Sequence, residues 1–80
     1  MIDDFRNELY AVMSESLDVN LKEINNDTSR ENLSEWDSLG HLKVFLALQD
    51  NFGVEFTTDE IEKLSSVKEI FEHLRIKLGK

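Results

Sequence analysis

The 80-residue chain has no cysteine and no proline, and only three glycines, one tryptophan and one tyrosine. The lack of cysteine excludes a disulfide framework, a thiolate metal site and a cysteine nucleophile. Any thiol chemistry must therefore come from a group attached to the chain. Bases are also scarce: nine Lys and Arg face 17 Asp and Glu, for a net charge of −8. Nucleic acid is a poor partner for such a chain, because neutralisation of phosphates by Lys and Arg dominates that affinity. Ten of the acids but only three of the bases fall in residues 1–37. Such a surface favours basic partners and keeps a small protein monomeric, although a merely solvated acidic face accounts for most of these charges equally well.

Long apolar runs are missing too, and none approaches the ~20 residues that a bilayer crossing needs. The stretch Met1-Ile2-Asp3-Asp4-Phe5 is acidic where a secretory signal would be basic, so no export and a cytoplasmic location are expected. Hydrophobic residues make up 40% of the chain and charged residues 32%, the balance of one small soluble domain over residues 1–80.

No stretch alternates with period two, so the chain reads as all-α, with four helices. The first is predicted from about Asp3 to Ser16, with Ile2, Phe5, Leu9 and Val12 or Met13 at helical spacing. A polar connection from about Asp18 to Asp37 follows, and Val19, Leu21, Ile24 and Leu33 are expected to pin it to the core, since unpacked loops of that length are uncommon. The second helix covers about Ser38 to Asn51 and stops at Gly53, a C′ glycine. Val54-Glu55-Phe56 is an extended link. Thr57 and Glu60 are spaced as a capping box for a short third helix, and Ser66 and Glu69 repeat the box for the last one. That helix aligns Val67, Ile70, Phe71, Leu74 and Leu78.

The second helix is unusual. At about 100° per residue Val44, Phe45, Leu48 and Phe52 share one face, and Leu39, Leu42 and Leu46 lie roughly opposite. One apolar stripe is enough to build a core. The second stripe, beside Asp37-Ser38, reads as a docking surface next to an attachment point. Ser38 by itself fits a helix N-cap at least as well. As a phosphoester site it would place an anion where free amides and the helix dipole stabilise it. Asp37 could then hold a divalent cation against the incoming phosphate. Gly40 weakens the first turn by about 1 kcal/mol, either for a partner's access or because the site tolerates it.

Other constellations carry less. Trp36 could stack on an attached group or dock a partner, but a loop anchor explains it better. His41 and Asp37 flank Ser38 too closely to form a nucleophile–base–orienter triad, so a hydrolase is rejected and His41 reads as a packed histidine. Glu69 and His73 are i,i+4 and supply only two ligands, which makes them a surface pair rather than a metal site.

Asp37-Ser38-Leu39, with Leu42, Val44, Leu46-Ala47-Leu48, Phe52, Val54-Glu55-Phe56, the cluster Asp59 to Leu64 and Ser66-Val67, resembles the acyl carrier protein family over about residues 33–75. The triplet alone is weak; with the downstream spacings it is specific. The resemblance implies a four-helix carrier fold with a long first loop and a short third helix. It further implies 4′-phosphopantetheine on Ser38 and intermediates held as thioesters on the arm's thiol. It implies no catalysis by the chain itself. A phosphopantetheinyl transferase, an acyl- or aminoacyl-loading ligase and client synthases or transferases are the partners it implies. Leu39, Leu42, Lys43 and Leu46 would face those enzymes, with Val54 and Phe56 lining the arm's path.

Fatty-acid members carry acids after the serine and often a proline opening the third helix. Here Gly40, Lys43 and Thr57 stand at those positions, and Trp36 replaces a small residue. These departures favour a free-standing carrier for a specialised pathway over the housekeeping one. The alternative from another class is an unmodified helical interaction domain, with Ser38 as a cap and the leucine stripe binding a partner helix.

Overall fold

The computed structural model describes residues 5–79. It contains four α-helices, α1 (Arg6–Leu17), α2 (Ser38–Phe52), α3 (Thr58–Lys63) and α4 (Val67–Leu78), and a 3₁₀ turn over Leu21–Glu23. Among the described residues there is no strand, only an isolated bridge between Ser29 and Ser66. The architecture is the all-α carrier-like bundle that the sequence predicts. No described helix is long and apolar enough to cross a membrane.

Helix α1 begins three residues later than its periodicity predicts and extends one residue further, to Leu17. Ile2 and Asp3, placed in it by sequence, lie outside the described residues. Leu9, Val12, Met13 and Leu17 are buried, a spacing that keeps one stripe on the core. Asp18 ends the helix in a left-handed conformation, φ 56°, one of the few non-glycine residues that tolerate it. The amides of Asp18 and Val19 then bond back to the carbonyls of Glu15 and Ser14.

The connection from α1 to α2 is long but pinned. Ile24, Leu33 and Trp36 are buried, and so is Thr28, whose hydroxyl donates to the Glu23 carbonyl at 2.9 Å. The Thr28 carbonyl accepts from the Val67 amide at 2.9 Å, and the Arg30 amide donates to Ser65 O at 3.0 Å. These two bonds fasten the loop to the start of α4, satisfying a helix N-terminal donor that has no partner within its own helix. Leu21 does not share this task. It is 53% exposed, because the 3₁₀ turn that Asn20 caps rotates it away from the core.

Helix α2 shows both faces that its sequence predicts. Val44, Phe45 and Leu48 are buried, while Leu39, Leu42 and Leu46 are 61, 48 and 57% exposed. Gly53, at φ 66°, closes it as expected. Helix α4 buries Val67, Ile70, Phe71 and Leu74, with Phe71 stacked on Phe5 at 5.0 Å between ring centres.

Helix α3 has no fully buried residue and is held largely by polar ties. Thr57 and Glu60 form the predicted reciprocal box, the Thr57 amide donating to Glu60 Oε1 at 2.8 Å. The second predicted box is only half made. Ser66 Oγ accepts from the Glu69 amide, but Glu69 Oε1 takes the Ser65 amide instead of that of Ser66.

Candidate functional site

The mouth of α2 is set by its capping residue, and that residue is Asp37, not Ser38. Asp37 has an extended backbone and its Oδ1 accepts from the Gly40 amide at 2.8 Å, while its carbonyl accepts from the His41 amide at 2.8 Å. This frees Ser38 from capping and makes it the first residue of the helix, exposed at its N-terminal end. Among the described residues nothing accepts from or donates to its hydroxyl, and the Ser38 and Leu39 amides have no partner. An exposed oxygen nucleophile beside two open amides at a positive helix end is suited to carry a phosphate ester.

Gly40 has a steric explanation that its sequence position does not reveal. A Cβ there would meet Leu17 Cδ2 at 2.7 Å and the Glu35 carbonyl at 2.8 Å. The first turn of α2 thus lies directly against the end of α1 and the loop backbone, and glycine is needed for that approach rather than for a partner's access. Beside this contact a cleft of about 240 Å³ opens, bordered by Leu17, Asp18, Glu35, Asp37, Leu39 and Lys43. Three carboxylates, from the end of α1 and the loop, and one ammonium, from α2, border it.

Two aromatic groups pack into the core at the start of α2. Trp36 is 1% exposed and His41 is 5% exposed, their rings stacked at 5.9 Å. The indole Nε1–H donates to His41 Nδ1 at 2.9 Å, and Nε2 of the same imidazole lies against the Ile61 carbonyl. Because an indole nitrogen can only donate, Nδ1 must be the acceptor and Nε2 must carry the proton. Burial lowers the basicity of His41 below its ordinary value, the nearby Arg30 charge adds to this, and the Ile61 bond opposes it. Both ring nitrogens are committed, so no imidazole base is available to Ser38. Trp36 is a loop anchor within the core.

The second apolar stripe of α2 is at the surface. Leu39, Leu42, Lys43 and Leu46 are all exposed on α2. Val54 is half-buried against the core. Phe56 is a correction to the sequence reading. It is 8% exposed, meets Phe45 edge-on at 4.9 Å, and its amide donates to Gln49 Oε1, so it belongs to the interior and offers no docking surface. The pairing of His73 is also different from expected. Its Nε2 meets Glu60 Oε2 at 2.9 Å, across from α3, while Glu69 is occupied at the start of α4. Lys77 reaches the same Glu60 oxygen at 3.1 Å. The Thr57 amide, then Lys77 and His73, hold the Glu60 carboxyl down to about 2, against a smaller opposing effect of burial.

Among the described residues, no three His, Asp or Glu side chains are grouped to hold a metal. Arg30 was not a candidate by sequence, yet its Nε–H donates to the Trp36 carbonyl at 3.4 Å, two residues before Ser38. No local pattern signals that contact, because the loop's fold alone brings residue 30 to residue 36.

The family model for the phosphopantetheine attachment site matches residues 7–74 of this chain. The match takes in all but the first residue of α1, the pinned loop, α2, α3 and the first two-thirds of α4. With its helical bundle and exposed serine, the chain belongs to this family of acyl-carrier-type proteins, non-catalytic carriers that bear covalently attached 4′-phosphopantetheine.

Proposed function

We propose that Ser38 is the attachment residue and that residues 1–80 act as one carrier domain for acyl or aminoacyl intermediates of a specialised pathway. The observation that supports this reading most is the Ser38 hydroxyl, exposed and without a partner at the first turn of α2 while Asp37 does the capping. A phosphodiester fits there: the oxygen is exposed, and the Ser38 and Leu39 amides at the same helix end are without a partner. Ser38 Oγ attacks the pantetheine-bearing phosphorus of coenzyme A within a transferase, losing its proton as the bond to 3′,5′-ADP breaks. Asp37 is exposed, and its Oδ2 is left for a divalent cation shared with the transferase, since hard cations favour carboxylate oxygens. The arm ends in a thiol, which supplies the group-carrying chemistry that a chain without cysteine lacks.

Leu39, Leu42 and Leu46 provide an apolar stripe for the transferase, the loading ligase and client enzymes, and Lys43 opposes enzymes built to meet a carboxylate there. Val54 borders this region. The absence of an acid over Ser38–Gln49 separates this surface from that of fatty-acid carriers and supports a dedicated pathway, in the cytoplasm. Once loaded and docked, the tether gives the cargo a high effective concentration at the active site.

The test is incubation with coenzyme A and a broad-specificity phosphopantetheinyl transferase, followed by intact mass. One phosphopantetheine gained by the wild type and none by Ser38→Ala supports the assignment. No gain with several transferases returns the chain to the unmodified interaction-domain reading, and a gain retained in Ser38→Ala moves the arm to another residue.

A further inference from the structure

Arg30 stands apart from the other cations of this acidic chain. It is half-buried, whereas Lys22, Lys43, Lys63 and Lys68 are exposed. Arg75 pairs with Glu72 and Lys77 with Glu60, but Arg30 makes no ion pair with any described carboxylate. Its one hydrogen bond ties Nε to the Trp36 carbonyl, which leaves four of the guanidinium's five N–H donors unengaged by the described residues. A half-buried guanidinium with most of its donors unengaged can still take an anion in its planar fork.

We propose that Arg30 is the counter-charge for the phosphodiester on Ser38, gripping its ester oxygens with the Nη donors while Nε stays on Trp36. The assignment rests on Ser38 being the attachment residue. Its geometry follows from the chain itself. The Cα atoms of Trp36 and Ser38 are at most roughly 7 Å apart, so the carbonyl that Arg30 holds belongs to the backbone immediately ahead of the serine. The Nη atoms project beyond Nε, and the phosphate oxygens project beyond Oγ, and both extensions shorten the separation. Trp36, which Arg30 holds through its carbonyl, is itself bonded to His41 in the first turn of α2, and this keeps the guanidinium at that same end of the helix.

Charge and shape agree with this. Asp37 keeps one carboxylate oxygen on Gly40, and with Asp18 and Glu35 it outnumbers Lys43 around the cleft toward α1, so that side carries a net negative charge. A phosphodiester on Ser38 is repelled from that side and drawn toward the planar guanidinium fork, which matches two phosphate oxygens. Arg30 thereby sets the direction in which the arm leaves the helix, away from the acidic cleft. It acts as a binding residue for the prosthetic group rather than as part of the core.

The experiment compares the full chain before and after loading, for wild type and Arg30→Gln, with intact mass confirming the arm on Ser38. In the wild type, loading should shift the Arg30 Nε–Hε resonance and raise the unfolding equilibrium constant two- to fivefold at low salt, the range of a solvent-accessible ion pair. Arg30→Gln should lose that holo-over-apo gain and shift the ³¹P resonance of the diester, while still accepting the arm. Each comparison is made within one variant, so a general loss of stability cancels. If Arg30→Gln does not fold, Arg30→Lys and the wild-type resonance decide. A fully loaded wild type whose Arg30 resonance and stability do not change overturns the role of Arg30 and leaves Ser38 in place. Absence of loading at Ser38 overturns the attachment site and this assignment with it.

Discussion

The indole of Trp36 donates a hydrogen bond to Nδ1 of His41 at 2.9 Å, joining the residue just before the cap of α2 to the first turn of the helix itself. His41 continues the chain of contacts to the Ile61 carbonyl on α3. One neutral imidazole thus ties the loop, α2 and α3 together near Ser38. The acceptor at Nδ1 is lost if the ring takes up a second proton.

Acid should therefore loosen this end of the molecule. The unfolded chain binds a proton on His41 at its ordinary value of 6.5, while the folded ring resists protonation because it is buried. Above pH 6.5 both forms are neutral and the contribution is complete. As pH falls below 6.5 the unfolded state takes up the proton first and stability declines, until the folded ring is protonated too. Urea unfolding between pH 7.5 and 5 should show this slope, and His41→Gln, which can still accept from Trp36 and donate to Ile61, should flatten it. Trp36→Phe should cost about 1–3 kcal/mol, since it leaves a buried acceptor without a donor.

Glu60 works in the same direction, over a lower interval. Its folded carboxyl titrates near 2 and its ordinary value is 4.5. The stabilisation is present above pH 4.5 and disappears as pH falls toward 2. Glu60→Ala should cost about 1–2 kcal/mol at pH 7 through the lost cap and its partners His73 and Lys77. The gap between wild type and variant should close as unfolding is measured at progressively lower pH.

Gly40→Ala provides a test of the packing at the mouth of α2. Alanine is the better helix former by about 1 kcal/mol. The new Cβ, however, would lie 2.8 Å from the backbone carbonyl of Glu35, which cannot rotate away as a side chain would. A net loss of about 1–3 kcal/mol is expected in thermal or urea unfolding. Loading by a transferase should slow as well, because Asp37 and Ser38 move with the turn.

Asp37 separates capping from chemistry. Asn caps helices about as well as Asp, and Ala does not. Asp37→Asn should keep wild-type stability and still slow phosphopantetheine transfer, measured by the time course of intact mass. Asp37→Ala should slow transfer and also cost about 1 kcal/mol. Equal transfer rates for wild type and Asp37→Asn would remove the carboxylate from installation.

Where a sequence pattern is local, it anticipated the structure. The two faces of α2, the glycine that ends it and the box at Thr57 and Glu60 depend on residues within a few positions of one another, and all were found. The exposed state of Ser38 was not legible, since Asp and Ser both favour caps and only the backbone conformation of Asp37 decides between them. Contacts between distant segments were also hidden. Residue spacing within α4 suggested Glu69 as the partner of His73, but the docking of α3 supplied Glu60. Phe56 sits in an extended link that looks exposed, and Gln49 on α2 captures its amide and turns it inward. The steric need for Gly40 depends on Leu17, in another helix.

The slightness of α3 has a dynamic consequence. Six residues long and without a single fully enclosed side chain, it is hung from the body by an imidazole, a carboxylate and its own cap. Detaching such an element exposes little oil to water, so it can swing open while α1, α2 and α4 remain assembled. Amide exchange in Ile61–Leu64 should accordingly outpace that in Val44–Leu48. The carrier then has one segment that can open locally without loss of the remaining bundle.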